Sequence, residues 1–130
     1  MSGNDAKIRV MIVNDHPIMR VGLRMAVRRE PDMELVCEVA DEAEAIAQIG
    51  SCHPDVVLID LQLPYGSGSR AIEAIHKLSA RSPIVVLTTF PGDSDVPASA
   101  THGPVVYVSK AVSSQEIMAA VRRGWTHSFG

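Results

Sequence analysis

The sequence has few cysteines, few aromatics and no charge of one dominant sign, and each shortage removes a class of function. Its two cysteines, Cys37 and Cys52, are not spaced as C-x-x-C, which predicts two unpaired thiols in a reducing compartment. Aromatic residues make up 4% of the chain and the net charge is only −3, so no basic patch interleaved with aromatics is present to grip nucleic acid. Arg20, Arg24, Arg28 and Arg29 follow one helical segment and read as a solvated face. No apolar run is long enough to cross a bilayer, and the N-terminal MSGNDAK lacks the charged-then-apolar order of a secretory leader. These absences predict a soluble cytosolic protein, and 130 residues suit one domain with one core.

What is present is an alternation. Ile8–Val13, Leu35–Val39, Val56–Ile59, Ile84–Leu87 and Val105–Val108 are short, rich in Val and Ile, and apolar on both faces, as buried parallel strands require. Helical segments lie between them. The first has Pro17 in its opening turn, repeats Ile18, Val21, Met25 and Ala26, and stops at Pro31. The second opens on an Asp41/Glu44 capping box, carries Ile46 and Ile49, and is expected to end at Gly50. The third follows Gly68 with Ile72, Ile75 and Leu78 on one face, and the last starts at Ser113 with Glu116 three residues on, burying Ile117 and Val121. Between the fourth and fifth strands, residues 91–103 hold two prolines, two glycines and little besides Val96 to anchor to a sheet, so the fourth of five expected helices should be degenerate. The pattern predicts an α/β doubly wound, five-stranded parallel sheet in the order 2-1-3-4-5, with right-handed crossovers.

In such a sheet the ligand site lies beyond the C-terminal strand ends, where the strand order reverses. Strand one delivers Asn14 and Asp15 there, strand three Asp60, strand four Thr88 and Thr89, strand five Ser109 and Lys110. Paired carboxylates suit Mg²⁺, which keeps several waters and takes one or two carboxylates with phosphate oxygens. A hydroxyl and an ammonium supply donors for an arriving anion. An Asp carboxylate beside the metal can attack a phosphoryl group and form an acyl phosphate. Singly, each residue has an ordinary alternative: Asp15 could cap the first helix, Thr88 is a normal strand residue, Tyr107 a half-buried aromatic, Lys110 a surface lysine.

Together, Val13-Asn14-Asp15-His16-Pro17, Leu58-Ile59-Asp60-Leu61-Gln62-Leu63-Pro64 with Gly68, Val86-Leu87-Thr88 and Tyr107-Val108-Ser109-Lys110 resemble the receiver domain of two-component response regulators, of the NarL/LuxR type, from Ile8 to about Arg123. The resemblance implies a flavodoxin-like receiver fold and a phosphoryl group accepted on Asp60 from a sensor histidine kinase. It implies Mg²⁺ held by Asp15, Asp60 and the backbone carbonyl of Gln62, with Asn14 one layer out. Thr88 and Lys110 would bind the phosphoryl oxygens, and Thr88 with Tyr107 would form the switch. Output would be transcriptional, through a DNA-binding domain outside residues 1–130, and a homodimer is left open. The rival from another class is a pseudo-receiver, an interaction module that works without phosphorylation.

Two positions depart from the family pattern. Asn14 stands where an acid is usual, and at an effective dielectric near 20 the lost charge should weaken Mg²⁺ binding by on the order of 1–3 kcal/mol. Thr89 stands where a small residue is usual and should narrow the entrance for phosphodonors, while Phe90 could screen the acyl phosphate from water. Other patterns carry less. Gly66-Ser67-Gly68-Ser69-Arg70-Ala71 matches a dinucleotide fingerprint but does not directly follow a strand, and Gln62 breaks the D-x-D of haloacid-dehalogenase-like phosphatases. His16, His53, His76, His102 and His127 show no metal spacing and are expected to face solvent or to cap helices.

Overall fold

The computed structural model describes residues 7–60, 68–78, 82–88, 105–109 and 113–129. Five strands and four helices are found there: β1 (Ile8–Val13), α1 (Pro17–Arg29), β2 (Met33–Val39), α2 (Glu42–Cys52), β3 (Val56–Asp60), α3 (Gly68–Leu78), β4 (Ile84–Thr88), β5 (Val105–Ser109) and α4 (Ser114–Phe129). The strands form one parallel sheet in the order β2-β1-β3-β4-β5, the order expected from the alternation. The degenerate helix expected within residues 91–103 lies outside the described residues.

Because side chains alternate across a strand, each central strand feeds two cores. Val10, Ile12, Val56, Leu58, Val85 and Leu87 point to one face, where Leu23, Ala26 and Val27 of α1 and Ile117, Met118 and Val121 of α4 cover them. Met11, Val13, Val57, Ile59, Ile84 and Val86 point to the other, under Ala45 and Ile49 of α2 and Ile72 and Ile75 of α3. This two-sided burial is why the strands read as unbroken apolar runs.

β2 changes faces midway. Val10 pairs with Leu35 but Met11 with Cys37, so Val36 is an extra residue in the ladder. An offset of one residue turns the rest of the strand to the opposite face. Met33 and Leu35 accordingly pack with α1 and α4, whereas Cys37 and Val39 pack with α2 and α3.

Several helix expectations need correction. In α1 the buried residues are Leu23, Ala26 and Val27, while Ile18, Val21 and Met25 are exposed. Both stripes fit a helical period, and the sheet selects the one whose side chains reach its strands. Ile46 and Leu78 are exposed as well, with Ala45 and Ile49 buried in α2. Nor does α2 stop at Gly50: it runs to Cys52, and His53 adopts the left-handed conformation at φ 48°. Arg9 of β1 holds this end, donating to the Cys52 carbonyl at 2.6 Å and the His53 carbonyl at 3.0 Å. These bonds satisfy carbonyls that a helix end leaves open.

Both capping boxes form. The Asp41 carboxylate accepts from the Glu44 N–H at 2.8 Å, and the Ser113 hydroxyl accepts from the Glu116 N–H at 3.2 Å. Cys37 and Cys52 are free, as expected, but the bulge and the extended α2 place the two thiols near enough for Cys52 to act on Cys37. Burial, and then the neighbouring Cys52, push the Cys37 thiol up to about 12.

Candidate functional site

β1 and β3 are neighbours, with Val13 opposite Ile59, so Asn14 and Asp60 leave the sheet side by side where the strand order reverses. Asp60 ends β3 and is fully buried; Asn14 is fully buried too. Asp15 is 22% exposed, yet its Oδ1 is shielded from water and makes no hydrogen bond among the described residues. One ligand atom each from Asp15, His16 and Asp60 lie within 4.8 Å of one another.

The turn after β1 is built by its own residues. Asn14 Oδ1 accepts from the His16 N–H at 2.7 Å, a local bond that closes the turn in the manner typical of Asn and Asp. The Asn14 N–H donates to the Val39 carbonyl at 3.0 Å, tying the turn to β2. Arg20, one turn into α1, donates to the Asn14 carbonyl at 2.8 Å. Its guanidinium also lies 3.4 Å from Glu38, to which Arg24 bonds in a fork at 2.7 and 2.9 Å. The Arg24 bond, more than the charges of Arg24, Arg20 and Arg28, holds the Glu38 carboxyl below its ordinary range.

Arg20 and Arg24 are therefore not merely a solvated face: they lock the acidic turn onto the outer strand. Nothing in the sequence marks Arg20 for this, because its partners arrive from β2 and from the turn. Asp15 does not cap α1, whose cap position is His16, without a side-chain capping bond. That removes the ordinary reading of Asp15. His16 thus takes a capping position, as one expectation had it, but its ring also stands beside the two carboxylates, which spacing did not foretell.

The remaining expected residues are placed in part. Thr88 and Tyr107 fall on β4 and β5, with Val86 opposite Tyr107 and Thr88 opposite Ser109, but their side chains lie outside the described residues. Gln62, Thr89 and Lys110 lie outside them entirely.

Two carboxylates converging at a strand-end crevice, one with a water-shielded oxygen that has no hydrogen bond, form a donor set that fits a divalent cation. Among the described residues the buried Asn14 Nδ2 also has no hydrogen-bond partner, which adds one more polar group to the pocket. A carboxylate oxygen needs a cation or a donor when dry, and a divalent ion would supply the former.

Comparison with known proteins agrees with this fold. The response regulator receiver domain family model matches residues 10–122. The chain is 34% identical over 119 residues to the uncharacterized transcriptional regulatory protein YxjL of Bacillus subtilis, covering 92% of this chain and 55% of that protein. It is 34% identical over 116 residues to the nitrate/nitrite response regulator protein NarP of Escherichia coli, covering 89% and 54%. The chain thus spans about half the length of these relatives. Among solved structures, a two-component response regulator of the LuxR family from Aurantimonas superposes with a TM-score of 0.84 at 30% identity, covering 94% of this chain and 87% of that one. The response regulator domain of Thermotoga maritima CheB, at 24% identity and a TM-score of 0.82, shares the fold, covering 92% and 97%. The chain belongs to the response regulator receiver domain family.

Proposed function

We propose that this receiver takes a phosphoryl group on Asp60 from a sensor histidine kinase and passes the signal to a transcriptional output through a DNA-binding segment outside residues 1–130. The observation that carries the reading is the buried Asp60 carboxylate at the end of β3, with an Asp15 oxygen within 4.8 Å. A carboxylate oxygen of Asp60 attacks phosphorus, the bond from phosphorus to the kinase imidazole nitrogen breaks, and that nitrogen keeps the electron pair. The product is an acyl phosphate on Asp60.

Receiver domains generally bind Mg²⁺ at this acidic pocket. When bound, the ion neutralises charge on the phosphoryl oxygens and on the two carboxylates. Asp15 and Asp60 would hold it with the Gln62 carbonyl, and Asn14 shapes the turn that presents Asp15. Arg20 keeps that turn fixed by its bond to the Asn14 carbonyl. Thr88 and Lys110 would take the phosphoryl oxygens, and Thr88 with Tyr107 would carry the switch toward the β5 face. The domain acts by changing state rather than by turnover, and its setting is cytoplasmic; among the described residues no helix is long and apolar enough to span a membrane.

Incubation with acetyl phosphate and Mg²⁺ tests it. Intact mass should rise by one phosphoryl group in the wild type and not in Asp60→Asn. Absence of an adduct at saturating Mg²⁺, together with no beryllofluoride binding, would instead make the chain a phosphorylation-independent interaction module.

A further inference from the structure

Among the described residues, the imidazole of His16 is a group at this pocket that the proposed chemistry does not use. Its position is fixed from both sides: the backbone N–H is held by Asn14 Oδ1 at 2.7 Å, and Pro17 at the start of α1 restricts the backbone on the other side. The side chain makes no capping bond, so the ring is not committed to the helix. Its Nδ1 lies 3.8 Å from Asp15 Oδ1, and the ligand atoms of His16, Asp15 and Asp60 fall within 4.8 Å. Two donors each about 2.1 Å from one ion stand about 3–4 Å apart, so the Asp15 pair already has the needed spacing. Separations of up to 4.8 Å need side-chain adjustments of about 1 Å to reach that spacing, and the His16 ring, 53% exposed, has room for its share.

The donor set also differs in kind from an all-oxygen pocket. Asn14 contributes no charge, leaving two carboxylates, and the third group within reach is nitrogen. Mg²⁺ demands oxygen donors and near-octahedral geometry, whereas imidazole suits the later first-row ions. We propose that His16 is a nitrogen ligand completing a set with Asp15 and Asp60, and that the pocket consequently binds a divalent first-row transition cation of the Co²⁺, Ni²⁺ or Zn²⁺ class more tightly than Mg²⁺. The proposal rests on the reading of this pocket as the cation site of a phosphoacceptor, but concerns the unphosphorylated protein. The turn that closes the strand end thereby sets metal selectivity, because the Asn14 bond orders the backbone from which the His16 ring reaches the carboxylates.

The test is calorimetric titration of the full chain with Co²⁺ and, separately, with Mg²⁺, accompanied by the visible absorption of bound Co²⁺. His16→Ala should lose about tenfold or more in Co²⁺ affinity, at least what supporting groups around metal ligands usually contribute, and shift the Co²⁺ spectrum. Its Mg²⁺ affinity should stay within about twofold, since oxygen ligands carry that ion. His16→Gln, which keeps size and polarity, should behave like His16→Ala, and Asp60→Asn should lose the tight Co²⁺ site. Unchanged Co²⁺ affinity and spectrum in both His16 variants would overturn the proposal, as would tight Co²⁺ binding that survives Asp60→Asn. Acceptance of a phosphoryl group with Mg²⁺ is read separately on the wild type, so that failure of the His16 assignment and failure of the phosphoacceptor reading are told apart.

Discussion

Changing Asn14 to Asp should move stability and cation affinity in opposite directions. The substitution preserves the hydrogen bonding of the turn, because the carboxylate can still accept from the His16 N–H as Asn14 Oδ1 does at 2.7 Å. The second oxygen would replace Nδ2, an atom with no hydrogen-bond partner among the described residues. What changes is charge at a fully buried position next to Asp15 and Asp60. Two unit charges about 6 Å apart at an effective dielectric near 20 interact with about 3 kcal/mol. Part of that repulsion is relieved by proton uptake, so the metal-free variant should lose on the order of 2 kcal/mol of stability. The same charge attracts a divalent ion, and on the order of 1–3 kcal/mol corresponds to Mg²⁺ binding roughly 5- to 150-fold tighter. Urea unfolding in EDTA and in saturating Mg²⁺ reads both effects, since an ion that binds only the folded state raises the midpoint by mass action. The variant should unfold earlier than the wild type in EDTA and gain more from Mg²⁺. Equal midpoints in EDTA together with equal Mg²⁺ affinity would refute the argument, by showing that position 14 does not feel the charge of the pocket.

The fold sets four further outcomes. Leu23→Ala, on the buried face of α1, should cost about 2–5 kcal/mol in chemical denaturation, whereas Ile18→Ala, 89% exposed, should change stability by less than about 0.5 kcal/mol. Cys37, whose thiol is pushed up to about 12, should resist iodoacetamide at neutral pH in the folded protein and react once urea exposes it, as mass spectrometry of each cysteine would show. Asp32 and Glu38 are lowered below their ordinary values of 3.8 and 4.5, chiefly by bonds from Arg122 and Arg24 respectively. Groups with lowered values stabilise fully above the ordinary value and lose that stabilisation as pH falls through the folded-state value, so stability should drop below about pH 4.5. Arg122→Ala removes the Asp32 share and the bond to Glu30; Asp32 is 48% exposed, so after solvent screening the loss at neutral pH should be no more than about 1 kcal/mol and smaller in high salt.

Much of the architecture was legible in the chain because it depends on local chemistry. Strands such as Val56–Asp60 are unmistakable when every residue is buried, since two-sided burial leaves an unbroken apolar run. Asp41 with Glu44 and Ser113 with Glu116 announce helix starts through bonds spanning three residues. The candidate carboxylates Asp15 and Asp60 were legible for a topological reason: a parallel sheet with this order must open its crevice at the ends of β1 and β3.

The residues that were misread depend on partners distant in the chain. The stripe Ile18, Val21 and Met25 is as helical as the buried one, and only the position of the sheet chooses between them. α2 outlasts Gly50 because Arg9, more than forty residues away, binds its last carbonyls. Arg20 acts on the Asn14 turn through a partner on β2, and no spacing within α1 reveals that.

By itself, then, the sequence determined the order of strands and helices, the sheet they form, and the two carboxylates at its switch point, because hydrophobic period, capping and chain connectivity act within a few residues or derive from topology. Only the tertiary structure decided which face of α1 is buried, that the extra residue Val36 turns Cys37 toward Cys52, and that His16 stands with Asp15 and Asp60. The physical reason is the same for all three: a ladder offset or a side-chain contact between elements is set by packing of surfaces that no single segment encodes.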